Sequence, residues 1–165
     1  MDMADLAART GLPVRKLRYV FDHRVLPGLR DAPVGHGVPR TFTDFEGFGI
    51  ALAARLLGAG LVRKVVGAVL DAACRPTGST RAPADVPLYR AYAARAGILE
   101  MEDGRRLRVR APKRPGVGDV LDTGWLLLGS ARRTAGDDTP VVSVTVELGG
   151  LAVAVRGHQT DANWS

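Results

Sequence analysis

The residues best equipped for chemistry in this 165-residue chain are arginines, and they fall into two clusters. The first is Arg15, Lys16 and Arg18, followed directly by Tyr19. The second is Arg105, Arg106, Arg108, Arg110, Lys113 and Arg114. A guanidinium is a rigid fork of donors that fits phosphate and the guanine edge. A tyrosine hydroxyl can bond a phosphate while its ring packs. Catalytic chemistry has no such footing. Cys74 is the only cysteine, and His23, His36 and His158 are scattered. No HExxH, CxxC, Walker-type loop or GxSxG occurs. Gly116-Val117-Gly118 is too isolated to cradle a phosphate, and Asp119, Asp122, Asp137 and Asp138 read as turn residues. The expectation is no catalytic residue, no metal and no cofactor.

Composition agrees with a polyanion partner. The formal charge is +6, and only Lys16, Lys64 and Lys113 among the 23 basic residues are lysines. Basicity favours nucleic acid, although a composition rich in Ala, Arg, Gly and Val raises charge without any functional meaning. With 46% hydrophobic and 24% charged residues, the chain is an ordinary globular one, which excludes wholesale disorder and fibrous repeats. No apolar run approaches the roughly 18 residues of a membrane span. The opening Met1-Asp2-Met3-Ala4-Asp5 is acidic and leads into no apolar core, so no secretory leader is expected. One cysteine cannot close an internal disulfide. These features predict a cytoplasmic, nucleoid-associated protein with no membrane partner.

The elements that must position the first cluster are short helices. Asp2 caps a helix over Met3–Thr10, and Gly11 ends it. Pro13 opens the next helix, Val14 to about His23, in which Val14, Leu17 and Phe21 share one face. After Leu26-Pro27-Gly28 comes a loop holding Pro33, Gly35, Gly37 and Pro39, with extended flanks around Leu29-Arg30 and Arg40-Thr41-Phe42. Thr43-Asp44-Phe45-Glu46 is a capping box, the strongest local signal in the chain. It opens a helix that runs to Gly58, and a fourth spans Leu61 to about Ala73. Residues 75–87 carry Pro76, Gly78, Pro83 and Pro87 and read as a linker. Beyond it come a short helix over Leu88–Ala96 and two strand-like runs flanking Asp103-Gly104, a hairpin signal. Trp125–Leu128 is compatible with either a buried strand or part of a helix over Asp119–Arg133. Val141–Glu147 and Leu151–Val155 around Gly149-Gly150 read as a second hairpin. The tail from Gly157 reads as frayed, with Trp164 as a possible anchor. Tyr89 and Tyr92 read as core or interface residues.

Two helices joined by a tight glycine turn suit a helix-turn-helix, whose second helix enters the major groove. On these residues the chain also resembles a family, the N-terminal domain of MerR-type transcription regulators. Asp5 through Tyr19 is similar to that family's first helix, turn and recognition helix. Leu26-Pro27 resembles the step before its wing, Arg40-Thr41-Phe42 the wing's return, and Thr43-Asp44 and Leu57–Leu61 the starts of its third and fourth helices. The likeness spans residues 3–73. It implies that Arg15 and Lys16 face base edges or phosphates, that Arg18 and Tyr19 touch the backbone, and that Arg30 and Arg40 are wing contacts. Three departures stand out. The family's aromatic doublet is Tyr19-Val20 here, the wing region over 31–39 is unusually Gly/Pro-rich, and the family's long C-terminal dimerisation helix is not visible.

The expected architecture is α+β. A four-helix winged helix-turn-helix domain spans 1–74, a linker 75–87, and a small β-rich domain 88–165 that serves dimerisation, sensing or partner binding. The expected function is sequence-specific transcription regulation on double-stranded DNA by a homodimer, with a protein partner or small ligand taken by the C-terminal half. The alternatives are a nucleoprotein-assembly factor, like a phage excisionase or terminase small subunit, and a protein-interaction module whose helix-turn-helix no longer binds DNA. On a strand, Arg106, Arg108 and Arg110 share one face. That face reads either as a second nucleic-acid surface or as charge that protects a sheet edge.

Overall fold

A computed structural model describes residues 1–26, 41–77, 85–112, 120–128 and 143–157. They form six helices and five strands, so the fold is mixed α+β. The helices are α1 (Met3–Thr10), α2 (Val14–Asp22), α3 (Asp44–Gly58), α4 (Arg63–Ala73), α5 (Pro87–Ala94) and α6 (Leu148–Arg156). The strands are β1 (Ile98–Glu102), β2 (Arg106–Pro112), β3 (Val120–Asp122), β4 (Leu126–Leu127) and β5 (Ser143–Glu147).

Helix α3 is the hub. Its first turn carries the expected capping box: Glu46 N–H donates to Thr43 Oγ1 at 3.2 Å, and Thr43 N–H donates to Glu46 Oε2 at 2.7 Å. Such reciprocal capping satisfies two amide groups that the helix itself leaves without acceptors. Nine of its fifteen residues are buried, five of them Gly or Ala, so neighbours approach its backbone closely. At Gly49 a Cβ would stand 2.3 Å from Leu26 Cδ2. That glycine therefore makes the seat for the segment leaving α2.

The sheet is antiparallel in the order β3-β2-β1-β5, and β4 also pairs with β2. The hairpin expected at Asp103-Gly104 joins β1 and β2, and both turn residues have positive φ, +50° and +63°. The open choice at Trp125–Leu128 resolves as a strand: Leu126 pairs with Leu107 and Leu127 with Arg106. One sheet face is apolar, with Leu99, Met101, Leu107 and Val109 buried.

The second hairpin expected around Gly149-Gly150 is absent, and Leu148–Arg156 is helical instead. The two glycines do not turn a strand. Their amides donate to the Glu147 carboxylate at 2.7 and 2.6 Å, which makes Glu147 a side-chain N-cap. Leu148, Leu151, Ala152 and Val155 are buried at helical spacing, while Val153, which a strand would place beside Leu151 and Val155, is 37% exposed.

Helix α6 packs on α1, α3 and α5. One hydrophobic cluster runs from Leu6 through α3 and α4 into the sheet and α6. The compositional break at 75–87 is thus crossed by continuous packing.

Candidate nucleic-acid interface

Helices α1 and α2 are separated by three residues. Asp2 and Asp5 cap α1 reciprocally, and Gly11 ends it with φ +68°. Pro13 sits just before the first turn of α2 with φ −61°, close to the value its ring imposes. No side chain caps α2, and nine residues are too few for an isolated helix to be stable in water. Packing therefore holds it. Leu17 and Val20 are fully buried, and α2 lies against α3 and α1. The buried stripe differs from the expected one, because Val14 is 38% exposed and Val20 takes the inner position. Val20, where the resembled family has its second aromatic, belongs to the core.

Burial of Leu17 and Val20 turns Arg15, Lys16, Arg18 and Tyr19 outward, and all four are exposed. Among the described residues Arg15, Lys16 and Arg18 make no hydrogen bond or ion pair. Lys16 leans toward the end of α3, its Nζ 3.8 Å from where a Cβ on Gly58 would stand. The carbonyl end of a helix favours a cation there. Tyr19 is 43% exposed and stacks on His23, with ring centroids 4.1 Å apart. His23 Nδ1 lies 2.8 Å from the Tyr19 carbonyl. For that contact to be a hydrogen bond the proton must be on Nδ1, which makes Nε2 the acceptor of the neutral ring.

The chain then reverses at Arg24, a non-glycine residue with φ +48°, and Val25 N–H donates to the Val20 carbonyl at 3.2 Å. This turn sends Val25 and Leu26 back into the core. It also opens a groove of about 670 Å³, in which His23 and Arg24 face Val62, Arg63 and Lys64 at the start of α4 and Asp71 near its end. Arg63 and Lys64 make no hydrogen bond or ion pair among the described residues. Sequence reasoning missed this pair. Nothing local links residue 64 to residue 23; only the α3–α4 turn does.

The second cluster is differently built. Arg106, Arg108 and Arg110 lie on one face of β2, as strand alternation predicts. Each meets a carboxylate from a neighbouring strand. Arg106 pairs with Glu102 at 2.8 Å and Arg110 with Glu100 at 2.9 Å. Arg108 grips both oxygens of Asp122. The Arg108 hydrogen bond, and then the Gly124 amide, hold the Asp122 carboxyl down at about 2. Trp125 lies beneath this face, 5.5 Å from the Arg106 guanidinium carbon and 5.9 Å from that of Arg108. Phosphate here would have to displace carboxylates already in place.

The remaining candidates separate by position. Arg30 and Arg40, with the wing and His36, lie outside the described residues, as do Lys113, Arg114, Trp164 and residues 116–119, 137 and 138. Tyr89 and Tyr92 pack on Phe45, with centroids 5.1 and 5.4 Å away. Burial, and secondarily Asp71, push the Cys74 thiol up to about 11, which keeps it in the unreactive thiol form. Among the described residues no three His, Cys, Asp or Glu side chains are grouped to hold a metal, and no helix is long and apolar enough to cross a membrane. No family model, no characterised protein and no solved structure matches this chain.

Proposed function

We propose that this protein is a sequence-specific regulator that binds double-stranded DNA as a winged helix-turn-helix of the kind MerR-type regulators carry. In this reading α2 enters the major groove. The observation that carries it is the outer face of α2: three cations and a tyrosine, exposed, with no carboxylate partner among the described residues. A solvated helix face in a neutral protein commonly interleaves Glu with Lys or Arg. Here the one acid on α2 is Asp22, in its last turn.

The roles follow from placement. Arg15 and Arg18 lie three residues apart on one face, spaced to meet base edges and the adjacent phosphates. Tyr19 adds a hydroxyl for backbone phosphate. Lys16, drawn toward Gly58, serves phosphate rather than a base. Arg63 and Lys64, across the groove from His23, extend the cationic surface along one DNA strand. Arg30 and Arg40 complete it as wing contacts. The protein works as a homodimer without a cofactor and catalyses no reaction.

The experiment is retention of sheared genomic DNA from the source organism, sequenced after washing at low and near-physiological salt. A few enriched sites sharing an inverted repeat are expected. Uniform retention that vanishes at higher salt would reduce the interaction to phosphate attraction and end the regulator reading. Binding equal to wild type in the Arg15→Ala/Arg18→Ala variant would overturn the role of α2.

A further inference from the structure

The two edges of the sheet are built differently. On one side β3 and β4 both pair with β2, and the edge is broken between them. From Asp122 to Leu127 the edge advances five residues while β2 advances four, from Arg110 to Arg106. The extra residue is a bulge. Within it Thr123 Oγ1 accepts from Val109 N–H at 3.0 Å, and Asp122 Oδ1 accepts from Gly124 N–H at 2.9 Å. Bulges, charges and short strands are the devices that stop a sheet from growing.

On the other side β5 has no bulge and no charge before its last residue. Ser143-Val144-Thr145-Val146-Glu147 is five regular residues paired only with β1 among the described residues. It contains no proline or lysine, and its one charge is at its end. Its free side can be identified. Leu148 N–H donates to the Gly97 carbonyl at 2.9 Å, which continues the register Ile98↔Glu147. Antiparallel bonding alternates with period two. Val144 and Val146 therefore bond to β1, while Ser143 and Thr145 direct their backbone groups outward, as does the Glu147 amide, the Glu147 carbonyl opening α6. The apolar face is also unfinished there. Leu99, Met101, Leu107 and Val109 are at most 3% exposed, whereas Val144 and Val146 are only partly buried.

From this edge we propose that β5 pairs antiparallel with β5 of a second copy of this chain, making one continuous sheet across a two-fold axis at Thr145. The strand is self-complementary in that register. Thr145 meets Thr145, each Val144 meets a Val146 on the apolar side, and each Ser143 meets a Glu147, so no like charges oppose. An isologous contact of this kind closes on itself rather than growing into a filament. It also supplies the second copy that a small DNA-binding domain uses to double its phosphate contacts. That last support comes from the DNA reading; the test below contains no DNA, so the two can fail separately.

The test is sedimentation of the full-length chain with hydrogen exchange read at β5. The wild type is expected at about 35 kDa, twice its 17.5 kDa, with the Thr145 amide protected. Thr145→Pro removes only an outward donor, and Thr145→Lys sets two ammonium groups against each other. Each should sediment at half the wild-type mass with unchanged helical content. If Thr145→Pro fails to fold, Thr145→Lys decides. A wild type that remains a monomer at high concentration overturns the proposal, and a protected Thr145 amide in that monomer would mean that the chain covers its own edge. A dimer that survives either folded variant overturns it as well.

Discussion

Helix α2 and strand β2 each present three basic side chains on one face, yet the two surfaces are opposites. On β2 every guanidinium has a carboxylate, and those three acids come from the two neighbouring strands: Glu100 and Glu102 on β1, and Asp122 on β3. On α2 the three cations have no such partner among the described residues. The contrast is a matter of topology. A strand inside a sheet has two neighbours whose side chains stand beside its own, so cross-strand charges can be matched. A short helix packed by one stripe has nothing over its outer face. Arginine content alone therefore says little; what decides is whether neighbouring strands have already satisfied the guanidinium.

The largest effect expected from this contrast is on DNA. Replacing Arg15 and Arg18 by Ala should remove two interactions worth about 1–3 kcal/mol each. Affinity should fall roughly a hundredfold or more, and the salt slope should flatten by about one for each phosphate that is no longer gripped. Replacing Arg106 and Arg108 by Ala should leave affinity within about twofold, because those charges are already neutralised. Fluorescence anisotropy on a retained site at several salt concentrations measures both. If the β2 variant is the one that fails to bind, the contrast is broken.

The α2 face is held in place from beneath. Leu17 is fully buried beneath the cations of α2. Leu17→Ala should destabilise the protein by about 2–5 kcal/mol in denaturant unfolding, and DNA affinity should fall with it. Val14, exposed on the same helix, should tolerate Ala with a change of about 0.5 kcal/mol or less.

These faces are unequally legible in the sequence. The helices are readable because their signals are local: Asp2 and Thr43 as caps, Gly11 as a stop, and leucines at helical spacing. The outward turn of Arg15 and Arg18 follows from the same periodicity, although the stripe beneath them is Leu17 and Val20, with Phe21 only partly buried, rather than Val14, Leu17 and Phe21. The pairing of the β2 arginines is not readable. It needs the registers Glu102↔Arg106 and Arg110↔Asp122, and a strand's sequence does not state which residues will stand beside it. The same holds for the groove between His23 and Lys64. Helix α6 misleads for a different reason. Leu151-Ala152-Val153-Ala154-Val155 alternates like a strand, and only the position of Glu147 before two glycines discloses a helix start.

A smaller effect tests the ion pairs singly. Arg110 reaches Glu100 with one nitrogen, leaving Glu100 Oε2 and Arg110 Nε buried without partners among the described residues. Arg110→Ala would leave the carboxylate half-buried and alone. The cost should be about 1 kcal/mol, because the site is partly open to solvent. Replacing both residues, Arg110→Ala with Glu100→Ala, should recover part of that loss, since neither charge is then stranded. A double-mutant cycle measured by chemical denaturation separates the two outcomes.

The smallest effect is set by pH and falls on Asp122 alone. Its carboxyl is held at about 2 by Arg108 and the Gly124 amide, below the ordinary 3.8. A depressed folded value means that the unfolded chain binds the proton more readily. The pair's contribution is therefore present in full above about pH 4 and is lost as pH falls toward 2. Carboxyl NMR should show Asp122 titrating only near pH 2, late in an acid titration. Asp122→Asn should remove that late step and leave the neutral-pH unfolding midpoint almost unchanged, since the pair lies in water where ion pairs contribute little. The variant should also bind DNA as the wild type does, although it frees the Arg108 guanidinium. One cation freed on β2 has no companion, because Glu102 and Glu100 still hold Arg106 and Arg110. A rise in DNA affinity on Asp122→Asn would show the reverse: that the acids on this face restrain a second nucleic-acid surface rather than replace one.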